Sequence, residues 1–151
     1  MNLDEIKEIL YDKATSAAYK RLQELEGISE ESDVLYSFFD EFVPMLKHEK
    51  YAVRVRAVRL ICKQARWDSE NKINAAIDDI LLSLDDEKPT AVAQTLQFFG
   101  HSLLPYKKEL GGRIKEALLA MDCSRFNAET MRPLIEKEIS KLIKQIGEAQ
   151  Q

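Results

Sequence analysis

The chain has 151 residues, 45% of them hydrophobic and 32% charged, with a formal net charge of −4. That is enough for one domain with its own core, and the five Gly and four Pro leave few breakers for a fold built on tight β-turns. The two cysteines, Cys62 and Cys123, are too few and too far apart to point to a disulfide framework or a zinc site.

At the start, MNLDEIKEIL carries Asp4, Glu5 and Glu8 where a secretory leader needs a basic region followed by an apolar run. No apolar stretch approaches the roughly 20 residues that span a bilayer. The expectation is a soluble, cytoplasmic protein with no membrane partner.

Apolar residues recur at helical spacing along nearly the whole chain. A first short pair of helices is expected over about 3–26, ending where Gly27 suits a left-handed position after Glu26. Leu35, Phe38, Phe39, Phe42, Val43 and Leu46 then form an amphipathic helix, with Ser32 or Asp33 as its cap. Next comes HEKYAVRVRAVRLICKQARWD (48–68), with Val53, Ala57, Leu60 and Ile61 on one apolar face. Asp68 or Ser69 caps the helix that carries Ile73, Ile77, Ile80, Leu81 and Leu84. Pro89 opens a helix with Val92, Leu96, Phe99 and Leu103, and Pro105 closes it. Gly100, inside that helix, is expected where two units pack closely. Gly111-Gly112 loosens or starts the helix that continues through Leu119. The last helix shows Leu134, Ile135, Ile139, Leu142, Ile143 and Ile146. The helix pairs are therefore expected at about 3–26, 33–66, 69–104 and 107–146.

A shift of 38 residues places Phe39 on Ile77, Phe42 on Ile80, Val43 on Leu81 and Leu46 on Leu84. The same shift puts Val58 on Leu96, Leu60 on Phe98 and Ile61 on Phe99. A helix pair of this length cannot bury its apolar face alone, so such units stack. Val53-Arg54-Val55-Arg56-Ala57 resembles the V-R-x-x-A start of a HEAT second helix, and the charged turns KHEK (47–50) and DDEK (85–88) precede the two second helices. The chain thus resembles the HEAT-like repeat proteins. The resemblance implies an all-α, right-handed α-solenoid of antiparallel helix pairs, armadillo-like in its superhelix. It also implies that Arg54 pairs with an acid in the turn of a neighbouring unit. In the next repeat Ala91, Val92 and Thr95 stand at the matching places, without the arginine.

Charge is unevenly spread. Residues 50–66 hold six basic side chains and no acid, whereas 1–49 carry a net −7 and 67–106 a net −5. At 100° per residue Arg56, Arg59, Lys63 and Arg66 form a stripe opposite the apolar face. The 38-residue shift carries that stripe to Gln94, Gln97, His101 and Leu104. Second helices line the concave face in the family resembled, so Arg56, Arg59, Lys63 and Arg66 with Gln94, Gln97 and His101 make a candidate recognition surface for an acidic protein segment. Nucleic acid is the alternative partner, weighed against the acidic balance of the chain and the lack of an expected exposed aromatic platform. A third reading has the stripe solvated or neutralised by acids of an adjacent helix, with Glu24, Glu26, Glu30 and Glu31 as candidates.

Signs of catalysis are not found in the sequence. His48 and His101 sit in no metal-binding or nucleophile pattern, and neither acid cluster, Asp78-Asp79 or Asp85-Asp86-Glu87, aims two carboxylates at one point. Trp67-Asp68 resembles the aromatic and acidic pair of the alkylpurine DNA glycosylases built from HEAT-like repeats; the plainer reading has Trp67 closing the core and Asp68 capping a helix. The expected function is a non-catalytic protein-binding adaptor or scaffold with no cofactor and no metal.

Overall fold

The computed structural model describes residues 1–13 and 16–149, and among these every regular element is helical. Helix α1 (Leu3–Tyr11) opens on an Asn2 cap, whose Oδ1 accepts from the Glu5 amide at 2.9 Å. Asp4 and Glu5 in its first turn suit the positive end of the helix dipole. Ile6, Ile9 and Leu10 turn inward at helical spacing. Helix α2 (Ser16–Glu31) does not stop at Glu26 as expected but runs through Gly27, and none of the described glycines has positive φ. A mid-helix glycine costs about 1 kcal/mol against alanine. Tertiary contacts outweigh that cost, since Trp67 Nε1 donates to the Ser29 carbonyl at 2.6 Å and Arg66 to the Glu30 carbonyl at 2.8 Å.

The next helix also starts later than expected. A 3-10 turn at Tyr36–Phe38 leads into α3 (Phe39–Met45), and neither Ser32 nor Asp33 caps it through its side chain. Helix α4 (Tyr51–Lys63) carries the basic stripe and ends in the 3-10 turn Ala65–Trp67. The short α5 (Lys72–Ala75) and α6 (Ile77–Leu81) follow, and then α7 (Pro89–Phe98), with Pro89 in its first turn, where a missing N–H does no harm. Helix α8 (Gly111–Leu119) begins at the glycine pair, and α9 (Met131–Ala149) closes the described chain. None of the described helices is long and apolar enough to cross a membrane.

Helices α2, α4, α7 and α9 pack consecutively, each on the next; α1 lies against α2 and α4, α3 against α4, and α8 against α9. The 38-residue spacing read from the sequence recurs in the helix starts, with α3 at Phe39 and α6 at Ile77, and α4 at Tyr51 and α7 at Pro89. Equivalent positions are buried alike. Phe39 and Ile77, Phe42 and Ile80, and Leu46 and Leu84 all belong to one apolar cluster that extends from Ile6 to Ile146. Full burial of each such side chain stabilises by about 1.5–3 kcal/mol.

Two polar ties fix neighbouring units. Arg54 Nε and Nη2 grip both oxygens of Asp86, at 2.8 and 3.2 Å, while Nη1 donates to the carbonyls of His48 and Glu49. That pairing with an acid in the next turn is the one expected for Arg54. The second tie centres on Asp68, which caps α5 as expected by accepting from the Lys72 and Ile73 amides at 2.8 and 2.9 Å. Its carboxylate also accepts from the Tyr36 hydroxyl at 2.6 Å and pairs with the buried Lys107 ammonium at 3.0 Å. Lys107 reaches on to Asn71 Oδ1, and Asn71 is the one described non-glycine residue with positive φ. The first tie fixes α4 to the turn before α7, and the second fixes the segment after α4 to Tyr36, α5 and Lys107; α4 itself packs on both α2 and α7.

Candidate functional site

Arg56, Arg59, Lys63 and Arg66 follow one strip along α4 and its terminal turn, but it is not the solvent side opposite the core: Arg56 lies about 40° from Leu60 around the helix, and Arg56 and Arg59 are buried. Each meets a different environment. Arg56 is 6% exposed, and its Nη1 donates to the carbonyls of Ile9, Leu10 and Asp12 at 3.3, 3.1 and 2.6 Å. Those acceptors lie at the end of α1, which has no basic residue in its last turn, so Arg56 satisfies the orphaned carbonyls and the negative end of the dipole. Burial lowers its pKa and the nearby Asp12 opposes that shift.

Arg59 is equally buried and lies between α2 and α7. Its Nε and Nη2 form a two-point pair with Glu26 at 2.9 and 2.8 Å, and Nη1 donates to Gln94 Oε1 at 2.8 Å. The guanidinium lies 4.6 Å from the centre of the Phe98 ring and 5.3 Å from that of Tyr19. Burial opposes the charge on Arg59, but Glu26 and Tyr19 outweigh it and the pKa is raised. Glu26 is thus the acid of the adjacent helix that neutralises this part of the stripe.

The remaining two cations sit nearer the solvent. Lys63 donates to Glu30 Oε1 at 2.8 Å, and Glu30 keeps about half of its side chain in water. The hydrogen bond and charge of Lys63 hold the Glu30 carboxyl below its ordinary range. Arg66 is half-buried, donates to the backbone carbonyl of Glu30 and lies 5.1 Å over the Tyr106 ring. Glu24 and Glu31, the other two candidate acids, are exposed.

From α7 come the uncharged members. Gln94 is spent on Arg59, whereas Gln97 and His101 are exposed. His101 lies in a π-turn (Phe99–Leu103), with Nδ1 2.8 Å from Ser102 Oγ and its ring 4.7 Å from that of Phe98. Burial and the nearby Lys63 ammonium lower its pKa, so it is neutral at neutral pH. The π-turn frees the Gly100 carbonyl to accept from Gln145 of α9 at 2.7 Å. A Cβ at Gly100 would stand 3.2 Å from Gln145 Oε1 and 3.3 Å from Leu142 Cδ2, the close packing expected of that glycine.

The structure therefore brings Arg59 and Gln94 together inside, and sets Lys63, Arg66, Gln97 and His101 towards the surface. Arg56 lies at the other end of the stripe, against α1. Sequence reasoning missed the aromatic members. Tyr19 and Tyr106 are 49% and 47% exposed and stand beside Arg59 and Arg66, so partly exposed rings do accompany the stripe. Tyr19 lies seven residues before Glu26, hence on the same side of α2, whereas Tyr106 follows Pro105 outside any helical period. Trp67 is half-buried at the end of α4, and its partner Asp68 is committed to the α5 cap and to Lys107. No protein-family model, curated protein sequence or solved structure gives a significant match to this chain.

Proposed function

We propose that the chain is a right-handed HEAT-like α-solenoid of antiparallel helix pairs that works in the cytoplasm as a non-catalytic adaptor or scaffold. Its concave face, formed by α2, α4 and α7, binds a protein partner through an acidic segment. The observation that carries this reading is the mixture at the outer end of the stripe. Lys63 and Arg66 stand there with Gln97, His101 and the ring of Tyr106, while the exposed Tyr19 borders Arg59 farther in (arginine and tyrosine are enriched at interface hot spots). Arg56, Arg59 and Gln94 support that surface from within by fixing α4 to its neighbours.

Nucleic acid is the second reading, favoured by the two exposed tyrosines beside cations. Weighing against it, Arg59 and Lys63 already hold carboxylates and Arg56 is spent on carbonyls, which leaves little free charge to release counterions. The test uses Lys63→Glu/Arg66→Glu, checked for unchanged helicity by circular dichroism. In affinity capture from cells of the source organism, wild type retains a specific protein that the variant loses by about tenfold or more. Labelled single-stranded and duplex nucleic acid bind neither protein, even at low salt. An unchanged set of captured proteins overturns the reading, and tight salt-dependent binding of the oligonucleotides replaces it with the second.

A further inference from the structure

The two acids that α2 sets against the stripe differ in kind. Glu26 and Glu30 are four residues apart and so share one side of the helix. The Glu26 side chain is 8% exposed and clamps Arg59 with both oxygens. That of Glu30 is 52% exposed and holds Lys63 through one oxygen only, its other oxygen having no partner among the described residues. A carboxylate half in water on a single-contact pair is gained and lost at little cost.

We propose that Glu30 is an internal stand-in for a carboxylate of the partner, and that an acidic segment docks by displacing it from Lys63. The proposal rests on the reading of this face as a protein-binding surface. When the Glu30 side chain swings into solvent its backbone carbonyl stays, so Arg66 keeps its bond to α2 and its place over Tyr106. Lys63 is then a buried-stem ammonium without its carboxylate, beside an arginine that uses one of its five N–H donors within the described chain. Residues 63 and 66 lie about one helical turn apart. Two carboxylates at i and i+3 or i+4 of a partner helix, whose Cβ atoms are about 5–6 Å apart, match that spacing. Gln97 and His101 flank the pair as neutral donors, and the acids that face the same end, Glu26 on α2 and Glu138 on α9, stay engaged or set back. The stand-in keeps the pair from gripping any weak anion, so the surface answers only to a segment that supplies more than one carboxylate.

The test compares wild type with Glu30→Gln, which keeps the shape of the side chain and removes its charge. The probe is a fluorescein-labelled alanine-based helical peptide with glutamates at i and i+4; its glutamine counterpart and a labelled oligothymidylate are run beside it. Fluorescence anisotropy is read at one low salt concentration, with thermal unfolding confirming that the variant is folded and Glu30→Ser as a second variant. Glu30→Gln is expected to bind the glutamate peptide about two- to fivefold more tightly than wild type, as the loss of one competing surface ion pair implies. Adding Arg66→Ala to that variant removes the gain, and the glutamine peptide shows none. Equal binding of the glutamate peptide by wild type and both variants overturns the stand-in but leaves the surface. No binding by any of them overturns both, as does a gain confined to the oligothymidylate. Weaker binding by Glu30→Gln makes Glu30 part of the architecture and also overturns the proposal.

Discussion

Replacing Glu26 by alanine lowers the stability of the protein by about 3–5 kcal/mol, because it leaves the Arg59 charge buried without its carboxylate. The pair is 7% and 8% exposed, the guanidinium lies 4.6 and 5.3 Å from the centres of the Phe98 and Tyr19 rings, and its two hydrogen bonds to Glu26 measure 2.9 and 2.8 Å. For a chain of this length the loss corresponds to a fall in Tm on the order of 10 °C. Glu26→Gln loses less, since its amide oxygen still accepts one bond. The double substitution Glu26→Met/Arg59→Met recovers much of the loss, since a buried pair exchanged for apolar groups of like volume is often neutral. Urea denaturation of the three variants at neutral pH measures this order directly; equal stability of Glu26→Ala and wild type would place the pair in solvent.

Asp68→Ala has the second large effect, also about 3–5 kcal/mol, for a different reason. One carboxylate, itself fully buried, serves the Lys72 and Ile73 amides, the Tyr36 hydroxyl and the Lys107 ammonium; its loss takes the acceptor from the two amides and the hydroxyl and leaves the buried Lys107 charge with only the neutral Asp68 carbonyl and Asn71 Oδ1. Burial alone would raise the Asp68 pKa, but the Tyr36 hydroxyl, the Ile73 amide and Lys107 hold it below the ordinary carboxylate value. A depressed folded pKa gives stability that is complete above the unfolded value, about 4, and is lost as the pH falls through the folded one. Wild type is therefore expected to lose stability on acidification below about pH 4, and Asp68→Asn to show a shallower loss over that range. Denaturant titrations from neutral pH down to pH 2 give both curves; parallel curves would remove Asp68 from the acid response.

Local features of the chain could be read in the sequence, and long-range registers could not. The starts of α4 and α7 follow from the charged turns before them and from Pro89, which act over one or two helical turns, whereas α3 begins at Phe39 and not beside Ser32 or Asp33. The Asp68 cap is legible for the same reason. Arg54 was legible only through a resemblance, since its acid lies 32 positions away. The end of α2 was misplaced at Gly27 because what extends the helix to Glu31 is Trp67 and Arg66, from the far end of α4. Among Glu24, Glu26, Glu30 and Glu31, composition alone does not choose. The register of α2 on α4 does, and it gives Glu26 to Arg59, Glu30 to Lys63 and the other two to water. Tyr19 and Tyr106 fell outside the stripe for the same reason: they reach it across space, from other segments.

A stripe of four cations at one helical spacing thus divides into a buried inner half that ties helices together and a partly exposed outer half, where we propose that a partner docks. Equilibrium urea unfolding of Arg56→Ala, Arg59→Ala, Lys63→Ala and Arg66→Ala tests that division. The inner pair is expected to lose about 2–5 kcal/mol each, and the outer pair about 1 kcal/mol or less. Four small and equal losses would make the stripe a solvated face, and losses at Lys63 and Arg66 as large as those at Arg56 and Arg59 would leave no part of it free to bind.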